Sequence, residues 1–80
     1  MDYTKDKVDE ITLALLYLVT WERQEGSGSR AWKGFDWDTM NRLHKKGFIS
    51  DPKGKAKSVF LSEESYKKSR ELFQKHFGKK

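Results

Sequence analysis

Lys53, Lys55 and Lys57 stand at alternate positions in SDPKGKAKSVFL. Any extended part of that segment would display all three on one side, because side chains alternate along a strand. A row of cations of this kind neutralises phosphates and makes binding salt-dependent. Just upstream, WDTMNRLHKK carries Asn41, Arg42, Lys45 and Lys46. On a helix, Asp38, Asn41, Arg42 and Lys45 would share the outward side. Arginine suits the O6/N7 edge of guanine, and asparagine suits adenine. Asn41, Arg42, Lys45, Lys46, Lys53, Lys55 and Lys57 therefore form a candidate DNA-binding set with duplex DNA as the partner. Asp36 and Asp38 oppose that reading, since carboxylates at the start of a groove-reading helix repel phosphate. A lysine-bearing hairpin is also a common protection for an exposed edge strand.

The charge distribution sharpens the contest. Residues 1 to 40 hold five Lys/Arg against eight Asp/Glu, and residues 41 to 80 hold twelve against four. The net charge of +5 thus hides an acidic half and a basic half. Such asymmetry points to a polyanionic partner or, more blandly, to a lysine-rich solubilising surface.

Catalytic constellations are absent. His44 and His76 are far apart in sequence, with no metal-ligand spacing such as HExxH. Asp36 and Asp38 at i and i+2 diverge on a helix and make no acid/base pair. Ser27 and Ser29 have no nearby base, and Gly26, Gly28 and Gly34 neither follow a strand nor precede a Walker lysine. With no cysteine there is no thiolate nucleophile and no disulfide framework. The expectation is a non-enzymatic domain without cofactor or metal. The longest apolar run, Leu13 to Val19, is far shorter than the roughly 20 residues that span a bilayer. The N-terminus lacks the pattern of a secretory signal. A soluble, cytoplasmic protein with no membrane partner is expected, as one domain over 1–80.

A helix is expected from Thr4 to about Arg23, capped by Thr4, with Tyr3 and Val8 as a hydrophobic staple. Val8, Ile11, Ala14, Leu15, Leu18 and Val19 gather on one face as its core stripe. Leu13, Leu16 and Tyr17 lie opposite, so this helix must be covered twice, by the last helix or by another subunit. Gln24 to Ser29 reads as a flexible connector, and Arg30 to Gly34 as one short helical turn. Asp36 caps a helix from Trp37 to Lys46, with Trp37, Met40, Leu43 and His44 inward. Gly47 takes the left-handed position after it, and Phe48 folds back onto Leu43. Phe48 to Ser50 is a short strand, Asp51-Pro52-Lys53-Gly54 a turn, and Lys57 to Leu61 the return strand. Ser62 caps the last helix, which Gly78 closes.

RAWKGFDW poses a separate question, because large aromatics are either the plug of a small core or a stacking platform. Phe35 and Trp37 read as staple and first inward residue of the helix start. Trp32, beside Arg30 and Lys33, reads either as a seal on the connector or as a contact residue able to stack on single-stranded bases.

The stretch LHKKGFISDPKGKAKSVFLSEESYKKSRELF, residues 43 to 73, resembles the C-terminal half of bacterial winged-helix regulators of the multiple-antibiotic-resistance-regulator type. Leu43, Lys45, Lys46, Gly47, Phe48 and Ile49 match the end of their recognition helix, and Leu61, Ser62, Glu63 and Glu64 match the start of their last helix. Almost the whole chain is also similar to a family of small bacterial domains of unknown function, through KDKVDEITLALLYL, RAWKGFDWDTMNRLHKKGFISDPKGKAKSV and LSEE. The first resemblance implies architecture, with DNA binding as its consequence; the second carries no established activity. Only Arg30 to Gly34 is available for the first helix of a helix-turn-helix.

The resulting expectation is an α+β, mostly helical, winged-helix-like domain: long helix, short turn, helix, two-stranded β-hairpin, C-terminal helix. Its function would be DNA binding through helix 37–46 and a basic wing. The alternative is a protein–protein interaction or dimerisation module, with Leu13, Leu16, Tyr17 and Trp32 as the interaction surface and a homodimer or another protein as partner.

Overall fold

The computed structural model of the chain describes residues 1–79. The elements run α1 (Lys5–Leu18), β1 (Thr20–Gln24), β2 (Gly28–Trp32), α2 (Trp37–Lys45), β3 (Ser58–Leu61) and α3 (Glu63–Phe77). The three strands form one antiparallel sheet in the order β1-β2-β3. The α+β class holds. The winged-helix layout does not, because two strands precede α2 and a single strand follows it.

α1 stops at Leu18, several residues before the expected Arg23. Val19, Thr20 and Trp21 are β-branched or aromatic and prefer extended backbone. Thr20 also turns its hydroxyl back onto the Leu16 carbonyl at 2.8 Å, satisfying a helix-end acceptor. The chain then enters β1, turns through Glu25-Gly26-Ser27 and returns as β2. The expected connector and helical turn are therefore a β-hairpin, closed by Ser27 N–H donating to the Gln24 carbonyl at 2.9 Å. β3 pairs with β2, placing Arg30 opposite Phe60 and Trp32 opposite Ser58. The segment Phe48 to Ser50 is no strand, although Ser50 N–H reaches the Phe60 carbonyl at 2.9 Å and covers part of the β3 edge.

α1 and α3 pack antiparallel on one face of this sheet. Ser69 donates its hydroxyl to the Leu13 carbonyl at 2.6 Å, and Tyr17 stacks at a tilt against Tyr66 and Phe73. Leu13, Leu16, Leu72, Ala31, Val59 and Leu61 fill the space between the layers. The inward face of α1 is thus rotated from its expected position. Leu13 and Leu16 are core, at 2% and 0% exposure, while Leu18 stands 63% exposed. The second cover that α1 requires comes from the chain's own α3 and α2. Leu13 and Leu16 accordingly form no surface, and Tyr17 is half-buried between α1 and α3.

α2 follows its local signals. The Asp36 carboxylate accepts from Thr39 N–H at 3.1 Å and from the Thr39 hydroxyl at 2.9 Å. Gly47 has φ +85°, and Phe48 N–H reaches the Leu43 carbonyl at 3.0 Å, which closes the helix in a Schellman arrangement. Met40 and Leu43 point inward, whereas Trp37 and His44 are exposed, against expectation. Trp37 stands on the first turn and is 51% exposed, and the buried face of the helix is supplied by Thr39, Met40 and Leu43 instead. His44 caps outside it, its Nδ1 3.0 Å from the Ile49 carbonyl oxygen. Ser62 caps α3 as expected, accepting from Ser65 N–H at 3.2 Å. The molecule measures only 18 Å along its shortest axis, two layers deep, so the sheet face away from α1 and α3 is left open.

Candidate nucleic-acid interface

Register decides what the open face displays. Ser29, Ala31, Val59 and Leu61 turn toward the helices, so Arg30, Trp32, Ser58 and Phe60 turn away from them. A β-bulge between Thr20 and Glu22 inserts Trp21 as an extra residue on β1. Bulges re-aim side chains, and this one brings Trp21 beside Trp32, ring centroids 5.6 Å apart and planes 32° from parallel. Trp21 and Trp32 are each about half exposed and Phe60 is 40% exposed. Glu22 and Arg30, paired across the strands, lie loosely together at 4.0 Å.

The loop at one end of the sheet is basic. Lys53, Lys55 and Lys57 are exposed on the loop that leads into β3, immediately beyond Trp32 and its partner Ser58. The loop is irregular, so the expected display of the three lysines on one side of a strand does not occur. It is nonetheless held in shape. Lys33 Nζ donates to the carbonyls of Pro52 and Gly54, each at 2.7 Å, and Lys33 N–H donates to the Lys57 carbonyl at 3.2 Å. Lys53 N–H is bound by Asp51 Oδ1 at 2.9 Å.

The cations expected on the outer face of α2 have another occupation. Arg42 Nε meets Asp9 Oδ1 and Oδ2 at 2.9 and 3.0 Å, and its Nη2 lies 2.8 Å from Oδ1. Lys46 Nζ lies 2.8 Å from Asp9 Oδ2 and 3.1 Å from Asp6 Oδ1. Arg42 also donates to the Thr39 hydroxyl at 3.1 Å. The Asp9 side chain is 2% exposed. Burial alone would raise its pKa, but hydrogen bonds and charge from Arg42 and Lys46 outweigh burial and hold the carboxyl below its ordinary range. Bonding to Asp9 in turn raises the pKa of both Arg42 and Lys46. These groups tie α1 to α2. Arg42 is therefore turned inward to Asp9 rather than outward. Asn41 is half-buried, and Lys45 alone of the α2 set is exposed with no ionic partner among the described residues.

The structure thus sets Trp32 beside Trp21, on the same sheet face as Arg30 and Phe60 and at the end of the sheet where the lysine-bearing loop enters β3. It separates them from Arg42 and Lys46, and it buries Leu13 and Leu16. Sequence pattern alone marks neither Trp21 nor Phe60 as a site residue. The signal available for Trp21 is the run Val19-Thr20-Trp21, whose strand preference competes with the helical periodicity of α1; for Phe60 it is the alternation of the return strand.

Fold and surface together define a small two-layer α+β domain with one uncovered, aromatic-bearing sheet face. Residues 4–79 match the family model of a domain of unknown function, DUF6429, and the chain belongs to that family. It is similar to the uncharacterized protein y4hR of Sinorhizobium fredii, 44% identical over 77 residues that cover 96% of this chain and 97% of that relative. No solved structure matches the chain. Among the described residues no helix is long and apolar enough to cross a membrane.

Proposed function

We propose that this domain is a cytoplasmic, non-enzymatic binder of single-stranded nucleic acid, which lies across the open sheet face. The observation that carries the reading is the half-exposed Trp21–Trp32 pair, with Phe60 on the same face and Lys53, Lys55 and Lys57 at its edge. Unpaired bases stack on aromatic side chains irrespective of sequence, and nearby cations track the phosphates. Large aromatics on the open face of an antiparallel sheet are a recurring way to hold splayed-out bases. A duplex hides its base faces, and reading it through α2 would need Arg42 and Lys46, which Asp9 engages.

Fluorescence anisotropy of labelled single strands and of a matched duplex, at low and moderate salt, tests the proposal. Single strands are expected to bind more tightly than duplex, and W21A and W32A to weaken them. Absence of single-strand binding at low salt, where cationic contacts are strongest, would refute it. A second reading, self-association through the same face, is favoured by Glu22 and Arg30 lying side by side, since a facing copy related by a two-fold axis would exchange those charges. Light scattering that shows a dimer dispersed by W32A would favour that reading.

A further inference from the structure

Beside Phe60 the open face holds a shallow cavity of about 140 Å³, lined by Glu22, Gln24, Ser27, Gly28, Arg30 and Phe60. Its floor depends on a glycine. Gly28 has φ +127°, and a Cβ there would stand 2.5 Å from both the Phe60 ring and the Leu61 carbonyl oxygen. The Phe60 ring therefore packs against the Gly28 backbone, where only a glycine leaves room for it, and the residue stays 40% exposed. The cavity walls are chemically mixed. Glu22 offers an acceptor-only carboxylate and Arg30 a donor-only guanidinium. They come from directly opposed positions on β1 and β2. At 4.0 Å, with side chains 55% and 47% exposed, they are close enough to act on one ligand and loose enough to part for it.

Resting on the single-strand reading above, we infer that this cavity selects guanine. A base stacked on Phe60 turns its edges toward Glu22 and Arg30. Among the four bases, guanine alone joins two N–H donors on one edge, N1–H and N2–H, to two acceptors on the next, O6 and N7. The first edge satisfies a carboxylate and the second a guanidinium, the pairing by which arginine reads guanine elsewhere. Adenine presents an amino group beside an acceptor on each edge, so it leaves Glu22 half-satisfied and turns a donor toward Arg30. Cytosine and thymine lack a second acceptor edge. Single strands expose these Watson–Crick and Hoogsteen edges to side chains in a way that duplexes do not.

The test uses a short labelled oligothymidylate and the same strand with one central guanine, adenine, cytosine or inosine, compared by anisotropy titration. One well-made bidentate contact discriminates by about tenfold. The guanine strand is expected to bind roughly that much more tightly than the host, with inosine, which lacks the N2 amino group, in between. E22Q should collapse the difference between guanine and inosine. A Glu22 that acts only through its charge would instead shift all five strands alike, and that outcome overturns the inference. Equal binding of guanine and host strands, or a preference for adenine, also overturns it while leaving the single-strand reading intact. Failure of every strand to bind overturns both.

Discussion

The contact of α1 with α2 and the open face of the sheet each pair acidic with basic side chains, and the two use them in opposite ways. Under α2, one buried carboxylate, Asp9, gathers Arg42 and Lys46 at distances of 2.8 to 3.0 Å. Taking Asp9 out of water costs free energy, and only close, multiple hydrogen bonds offset that cost. Neither cation is then available to a ligand without breaking the fold's own contact. On the sheet, Glu22 and Arg30 are side by side but 4.0 Å apart and mostly in water. An exposed pair of this kind contributes little to stability. It can be redirected to a ligand at small expense. Burial, more than residue type, separates a charge that builds the structure from one free to act.

D9N removes the charge that Arg42 and Lys46 face in a buried setting, and should destabilise the domain by about 3 kcal/mol, read by urea denaturation. Oligonucleotide affinity of the folded fraction should not change. If D9N or R42M instead abolished binding while leaving the urea midpoint in place, the division between the two regions would be wrong. Acid titration sharpens the same point. Because the folded Asp9 carboxyl is held below its ordinary pKa, its contribution is fully present above about pH 4 and is lost as the pH falls through the folded value. The stability gap between wild type and D9N should therefore close on acidification. Glu10, held low chiefly by its hydrogen bond from His76, adds an acid limb of the same sign that D9N retains.

How much of each region was legible follows from the range of its interactions. Asp36, Gly47 with Phe48, and Ser62 were readable because a cap or a helix stop is settled within a few residues. The Asp9–Arg42 pairing joins positions 33 apart, and nothing local to Arg42 distinguishes a buried partner from open groove. The helical wheel turns Arg42 outward, whereas in the fold it meets Asp9. The β1–β2 hairpin was hidden for another reason. β1 is a sheet edge with one open face, and Trp21 to Gln24 are all exposed, so the alternation that marks a strand is missing. Charged residues that suit a helix surface equally well let the α1 period run on to Arg23. The rotation of α1 came from its double cover: with apolar residues all round, periodicity alone does not choose which side meets the sheet.

On the open sheet face the expected signs reverse. W32A removes a half-exposed ring from the open face and should leave thermal stability within about 0.5 kcal/mol, the usual range for surface substitutions. Single-strand binding should weaken by about 1–3 kcal/mol, the contribution of one base stacked on an aromatic side chain. Trp21 meets the same partner ring, so W21A should behave alike and the double variant should fall short of the sum. A W32A protein that unfolds readily would make the Trp pair a structural clasp on the β1 bulge, and the two regions would no longer differ in kind.

The smallest effect separates the loop lysines from both regions. Lys53, Lys55 and Lys57 make no side-chain ion pair among the described residues, and the backbone of their loop is held by Lys33 and Asp51. Replacing the three with Ala therefore leaves the loop's anchors in place. For a single strand, each phosphate that no longer meets a cation lowers the slope of log affinity against log salt by about 0.7. The triple variant should accordingly show a slope shallower by about 2, with a modest loss of affinity at moderate salt. A slope that stays unchanged would mean that the phosphates run elsewhere, past Lys45 on α2. The strand would then cross the molecule on the helical side, and the aromatic face would have to serve a different partner.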